Sequence, residues 1–264
     1  MDLFDTHCHL DLDVYDGDRD EVFARANAAG VHYFLNPAFD MASSARAAAL
    51  AASRRDTWAA VGIHPNAAGD LNDGALADLR ALAGQPRVVA IGEIGLDYHW
   101  NSFAPSVART AFVRQIELAQ AMRKPILIHC RDAMADVLDA LAVANRGDEA
   151  VPVLLHAFSG DELQARIAVE RGYLIGLGGP LTYKRADALR AIACWVPLGS
   201  IVLETDSPYL SPHPFRGRRN EPRHVADVAA RLAAIRGIDP SELGLQTTLN
   251  ALRFFNIHST PAQA

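Results

Sequence analysis

The chain reads as an α/β protein, a single-domain (β/α)8 TIM barrel spanning residues 1–264. Three observations predict it. Short apolar runs alternate with Ala/Leu/Arg-rich stretches, the order that builds a parallel sheet with crossover helices. Eight such runs occur in 264 residues, and a barrel of this kind typically takes about 250. Histidines and carboxylates stand just after the runs, on the rim where barrel chemistry collects. A doubly wound open sheet is the alternative arrangement.

In chain order, the spacing predicts strands over 3–7, 31–35, 58–63, 88–91, 125–129, 153–156, 173–177 and 201–205. Between them it predicts helices over 19–29, 41–54, 75–83, 105–123, 134–144, 161–171 and 186–196, and two closing helices over 222–236 and 241–257. Gly30, Gly84 and Gly172 fall where helices end, and Pro105 suits a first helical turn. Phe112, Ile116 and Ala119 make one apolar stripe on the fourth helix. Asp132 reads as an N-cap for the helix that follows it, and Ser159-Gly160 as the opening of the next.

Half of the residues are hydrophobic and the net charge is −6. A substantial core is therefore expected, and nucleic-acid binding would need a local basic patch. Three cysteines without a C-x-x-C pair argue against a disulfide framework and for a reducing compartment. Cys8 and Cys130 read as buried core thiols, because neighbours on a strand face opposite ways. No leader-like segment or apolar membrane span stands out, so a cytoplasmic location is expected.

The functional signal is positional. His7 and His9, two residues apart, share a face of an extended chain, and Asp5, on the same face, reads as a partner behind them. The third run leads into His64, the fourth into Glu93, the fifth into His129, the sixth into His156 and the eighth into Glu204 and Asp206. Imidazole with carboxylate suits Zn, Mn or a similar divalent ion. Six such groups (His7, His9, Glu93, His129, His156 and Asp206) exceed the needs of one open four-coordinate ion. They suffice for two ions about 3.5–4 Å apart that share a carboxylate and activate a water.

The motifs resemble the TatD-type metal-dependent hydrolases, a branch of the amidohydrolase-like barrels known mainly as DNases. The resemblance runs from Asp5-Thr6-His7-Cys8-His9-Leu10 and Gly62-Ile63-His64-Pro65 to Gly92-Glu93-Ile94-Gly95-Leu96-Asp97-Tyr98. It continues through Ile128-His129-Cys130-Arg131-Asp132-Ala133 and His156-Ala157-Phe158-Ser159-Gly160 to Leu203-Glu204-Thr205-Asp206-Ser207-Pro208-Tyr209-Leu210 and Arg219-Asn220-Glu221-Pro222. It implies two divalent ions (Zn, Mn or Mg). His7 and His9 would hold one, Glu93 would be shared, and His129 and His156 would hold the other. Asp206 would be the last ligand and the general base. Glu204 would orient a ligand histidine, with direct metal binding as the other reading. His64 would contact a phosphate, and Asn66 stands where the family often has a second histidine. Arg131 and Arg219 are further substrate-binding candidates.

The implied activity is a deoxyribonuclease, a 3′–5′ exonuclease on single-stranded or frayed DNA ends, with a monomer expected. Arg216, Arg218, Arg219 and Arg223, with Lys184 and Arg185, would form a basic rim for phosphates. Phe215 and Tyr183 would be available to stack on an unpaired base. Two rival readings stay open. One is a hydrolase of a small ester, lactone or amide, or of an aminoacyl-tRNA ester. The other is a binding protein that kept the barrel without the chemistry.

Overall fold

A computed structural model describes residues 2–100 and 102–258. Strand β1 (Leu3–Asp5) is followed by helix α1 (Arg19–Ala28), β2 (Val31–Pro37), α2 (Met41–Ser53), β3 (Thr57–Val61), α3 (Asp73–Ala83) and β4 (Val88–Asp97). Then come α4 (Pro105–Met122), β5 (Ile126–Arg131), α5 (Met134–Ala144), β6 (Val153–Leu155), α6 (Glu162–Glu170), β7 (Leu174–Leu177), α7 (Asp187–Trp195) and β8 (Ile201–Leu203). Helices α8 (Val225–Arg236) and α9 (Pro240–Phe254) complete the described fold.

All eight strands pair in parallel in sequence order. The ring closes just beyond the short strands β8 and β1. Thr6 N donates to Leu203 O (3.0 Å), Asp206 N to His7 O (2.8 Å) and His9 N to Ser207 O (2.8 Å). This closure makes the fold a (β/α)8 barrel and sets aside the open sheet.

Strand alternation sorts the core into two clusters. Phe4, Leu35, Ala60, Ala90, Leu127, Leu154 and Val202 join one. Leu3, Phe34, Ala59, Ile91, Ile128, Leu155 and Leu203 join the other, which includes the inward faces of the helices. The first set fills the barrel. Two residues beyond Leu127, Leu154 and Val202, on the same face, come His129, His156 and Glu204. The apolar filling of the barrel thus continues upward into its chemistry.

Local signals account for most boundaries. Asp40 with Ser43, and Asp161 with Gln164, form capping boxes on α2 and α6, while Pro105 occupies the first turn of α4. Several expectations are corrected. Helix α6 starts from Asp161 rather than from Ser159-Gly160. Asp132 makes no cap: its carboxylate lies 3.4 Å from His99 Nδ1. The helix expected over 222–236 begins with a separate 3-10 turn, Pro222–His224.

Strand β4 runs six residues past its expected end at residue 91. A register shift between Ile91 and Ile94 turns Glu93 inward, as a β-bulge does. Gly92 and Gly95 read as breakers in the sequence, yet they serve close approach. A Cβ on Gly92 would lie 2.6 Å from Leu127 Cβ, and one on Gly95 would overlap His129 O. The Cys8 and Cys130 thiols are buried and free, as expected. Among the described residues no helix is long and apolar enough to cross a membrane.

Candidate metal centre

At the C-terminal rim, β1 ends at Asp5 and the chain then turns His7 and His9 toward the barrel axis. Their Nε2 atoms lie 3.2 Å apart. His7 Nε2 is 3.4 Å from Glu93 Oε2 and 3.6 Å from Asp206 Oδ1. His9 Nε2 is 3.6 Å and 3.5 Å from the same two oxygens. His7 Nε2, His9 Nε2 and a Glu93 oxygen therefore form one donor group, with Asp206 Oδ1 beside both histidines. Ligands 2.0–2.1 Å from a tetrahedral Zn would stand about 3.3–3.4 Å from each other, so the donor spacing fits a divalent ion.

A second cluster shares Glu93. Its Oε1 lies 3.1 Å from His156 Nε2 and 3.4 Å from His129 Nδ1. His64 joins this group. Its ring is 4.1 Å from that of His129, and its Nδ1 accepts the Asn66 N–H, which leaves Nε2 for the site. Glu93 thus offers one oxygen to each cluster. The donors are nitrogen and oxygen only, suited to Zn, Mn or Mg.

Outer carboxylates orient the rings. Asp97 Oδ2 lies 3.1 Å from His129 Nε2, and its Oδ1 accepts the N–H groups of His99 and Trp100. Glu204 accepts the Ala157 N–H and stands 3.7 Å from His156 Nδ1. Its carboxylate fits only because residue 176 is glycine: a Cβ there would overlap Glu204 Oε2. Such partners fix a ligand histidine's tautomer and orientation. Asp5 was expected as a partner behind His7 and His9. Its carboxylate accepts the Thr205 N–H (2.9 Å), the Thr205 hydroxyl (2.5 Å) and the His7 N–H. It ties the β1 and β8 ends together from below. Burial drives its pKa up to about 8 despite those bonds.

The electrostatics are those of a mutually compensating cluster. Burial opposes the charge on Glu93, but His7, His156 and His129 outweigh it and hold Glu93 well below the usual carboxylate range. Asp206 is lowered in the same way, burial being overcome by His9 and His7. Burial disfavours charged His156, yet Glu93 and Glu204 raise it well above an ordinary histidine. His64 is pushed down to about 3 by burial and then by His129, so its ring is neutral at physiological pH.

The clusters floor an open cleft of about 800 Å³, whose walls include His64, Asn66, Asp97, Arg131 and Asp206. Against this geometry, a profile of the family described as TatD related DNase matches residues 4–256. The chain belongs to that family. The metal-dependent hydrolase YabD of Bacillus subtilis is 39% identical over 97% of this chain and 100% of its own length. A protein of Cronobacter sakazakii named 3′-5′ ssDNA/RNA exonuclease TatD is 38% identical over 98% of this chain and 100% of its own. Among solved structures, the TatD homologue YJJV of Escherichia coli K12 superposes with a TM-score of 0.88 at 32% identity, covering 97% of this chain and 98% of that one.

In this TatD-related barrel the expected site residues divide. His7, His9, Glu93, His129, His156 and Asp206 come together, with Glu204 behind them and His64, Asn66 and Arg131 along the cleft. Arg219 does not join them. Its guanidinium bonds both Asp18 oxygens (2.7 and 2.6 Å), reaches Glu221 at 3.4 Å and covers the Tyr15 ring. Those carboxylates neutralise it, so it is a strut between α1 and the loop after β8. Arg223 also faces Glu221 (3.3 Å). Phe215 stacks on His224 and Tyr183 lies under Arg216, away from the cleft lining.

Asp97 and Tyr209 stood in the quoted motifs without a role, and Trp100 was not singled out; all three line the cleft. Asp97 carried a signal, since it stands four residues after Glu93 on the same strand face. Trp100 and Tyr209 carried none, because their placement depends on loops outside the strands.

Proposed function

We propose that this protein is a metal-dependent phosphodiesterase acting on DNA, trimming single-stranded or frayed ends in the 3′–5′ direction. The observation that carries the reading is the shared carboxylate: Glu93 turns Oε2 to His7 and His9 and Oε1 to His129 and His156. That pattern is the protein half of a two-metal phosphodiester site. Support for DNA as substrate comes from family membership and from the exonuclease name of the Cronobacter relative.

Bound in the two clusters, a pair of divalent ions (Zn, Mn or Mg) would neutralise phosphoryl charge and acidify water at the cleft floor. His7, His9, Glu93 and Asp206 would hold one, and Glu93, His129 and His156 the other. Asp206, ionised and lining the cleft, accepts the proton of the attacking water. Neutral His64, the Asn66 amide and Arg131 hydrogen-bond the flanking phosphates. Asp97 and Glu204 hold the histidine rings so that the donors stay convergent. The free cysteines fit a reducing, cytoplasmic setting.

The test is to incubate metal-loaded protein with 3′- and 5′-labelled oligonucleotides, and with a panel of esters, lactones and amides. Stepwise loss from the 3′ end is expected, with Glu93→Gln and Asp206→Asn each abolishing it while far-UV circular dichroism is retained. Turnover of the small esters alone, or near-normal nuclease activity in either variant, would overturn the assignment.

A further inference from the structure

Two large aromatic side chains stand exposed in the cleft: Trp100, 62% accessible, and Tyr209, 56% accessible. Together on the walls of one cleft, they leave two aromatic faces free for a ligand. Trp100 follows β4 and Tyr209 follows β8. In an eight-stranded ring these strands are diametrically opposite, so the two rings rise from opposite walls.

Each is tied to a different end of the metal centre. The Tyr209 ring lies 6.0 Å from the ring of His9, edge to face, and the Tyr209 backbone N–H donates to Asp206 O. The Trp100 N–H donates to Asp97 Oδ1 (3.0 Å), the same carboxylate whose other oxygen holds His129. The Arg131 guanidinium lies 5.6 Å over the Trp100 ring and adds a positive charge at that wall. One carboxylate thus positions both the backbone that presents the indole and the histidine behind it.

Resting on the nuclease reading, we propose that Trp100 and Tyr209 form a jaw that takes the two bases flanking the scissile phosphate, one on each wall. A phosphodiester held over the centre has one nucleoside on either side. Base–aromatic stacking is indifferent to sequence because every base has a π-face. Seating both bases on opposite walls requires them to be unstacked from each other and unpaired. The jaw thus selects single-stranded ends through the geometry of the bases, while Arg131 anchors the backbone beside the indole.

The experiment compares wild type, Trp100→Ala and Trp100→Phe on three 3′-labelled single-stranded DNA 12-mers. One is intact, one carries an abasic site at the 3′-terminal nucleotide, and one at the penultimate nucleotide. Removing one stack should raise KM on the intact oligonucleotide by about 5- to 150-fold, with the phenylalanine variant retaining most of the affinity. For one of the two abasic positions, the ratio of abasic to intact KM should be large in wild type and collapse toward one in Trp100→Ala. Tyr209→Ala should collapse the ratio for the other position. Binding of the intact 12-mer to metal-free protein should quench tryptophan fluorescence in wild type but not in Trp100→Ala, since Trp58 is buried and Trp195 ends α7, outside the cleft lining.

If wild type hydrolyses the intact strand but Trp100→Ala leaves both abasic ratios unchanged, the jaw is refuted and the nuclease reading stands. If metal-loaded wild type hydrolyses none of the DNA strands, the nuclease reading fails and the jaw falls with it.

Discussion

Gly176→Ala probes the outer support of the centre through a single methyl group. Gly176 lies on β7, facing Glu204. An added Cβ would overlap Glu204 Oε2 and stand 2.9 Å from Cδ and 3.1 Å from Oε1. Glu204 is fully buried and has no solvent to retreat into. The carboxylate must turn away, giving up the Ala157 N–H and its place beside His156 Nδ1. Overpacking of this kind costs about 1–3 kcal/mol, a fall of roughly 2–10 °C in melting temperature for a chain of this size. Loss of a ligand's outer partner weakens metal binding by about 10- to 100-fold. The assay is a competitive Zn titration of metal-stripped protein, run beside thermal unfolding. The control is the double-mutant cycle with Glu204→Ala, where the new methyl finds room. In that background Gly176→Ala should cost little in affinity, giving a coupling comparable to the single-mutant loss. Equal losses in both backgrounds, or no loss in either, would refute the argument that residue 176 acts through Glu204.

Other consequences concern metal, protons and the peripheral ion pairs. Chelation should abolish hydrolysis and lower the melting temperature, with readdition restoring both; metal at 100 times its dissociation constant would stabilise by about 2.7 kcal/mol. His156 and His129 have raised pKa values in the metal-free protein. Their protonated forms therefore stabilise it below an ordinary histidine's pKa, and that contribution fades as pH rises through the raised values. Metal needs them neutral, so the metal-induced rise in melting temperature should grow from pH 6 to pH 8 with protons released on binding, a pattern calorimetry in buffers of different ionisation enthalpy would read. Arg219→Gln should leave the salt dependence of oligonucleotide binding unchanged, because the guanidinium is spent on Asp18 and Glu221. It should instead lower the melting temperature at pH 7. Burial raises the Glu221 pKa and Arg25 more than offsets it, while Arg219 and Arg25 lower Asp18. Carboxylates with lowered pKa stabilise above their unfolded values and lose the contribution as pH falls through the lowered ones, so the gap from wild type should begin to narrow below about pH 4 and close only at still lower pH.

Much of the barrel was legible because its causes are local. Apolar runs, Ala-rich stretches and capping residues act within a few positions, and the period of two along each strand carried the candidate metal ligands from the core to the rim. His129 stands two residues beyond Leu127 and His156 two beyond Leu154, so their inward aim follows from the strands alone. Glu93 was found by its type, while its aim depended on the shift in β4 and on the fit of Gly92 and Gly95 against β5.

The rest depended on which distant segments meet. Asp5 bonds Thr205 as well as the His7 N–H, behind the candidate ligands, because barrel closure sets the end of β8 beside it, 200 positions on. Arg219, one of several arginines in a loop, was drawn from the expected phosphate rim by Asp18, 201 positions away. Trp100 and Tyr209 face one cleft only because β4 and β8 stand across the ring from each other. A sequence states which charges and rings exist, and its periodicity states which face of a strand they take. Which charge is neutralised, and which ring is left bare beside the metal centre, is decided by contacts between segments that only the closed barrel brings together.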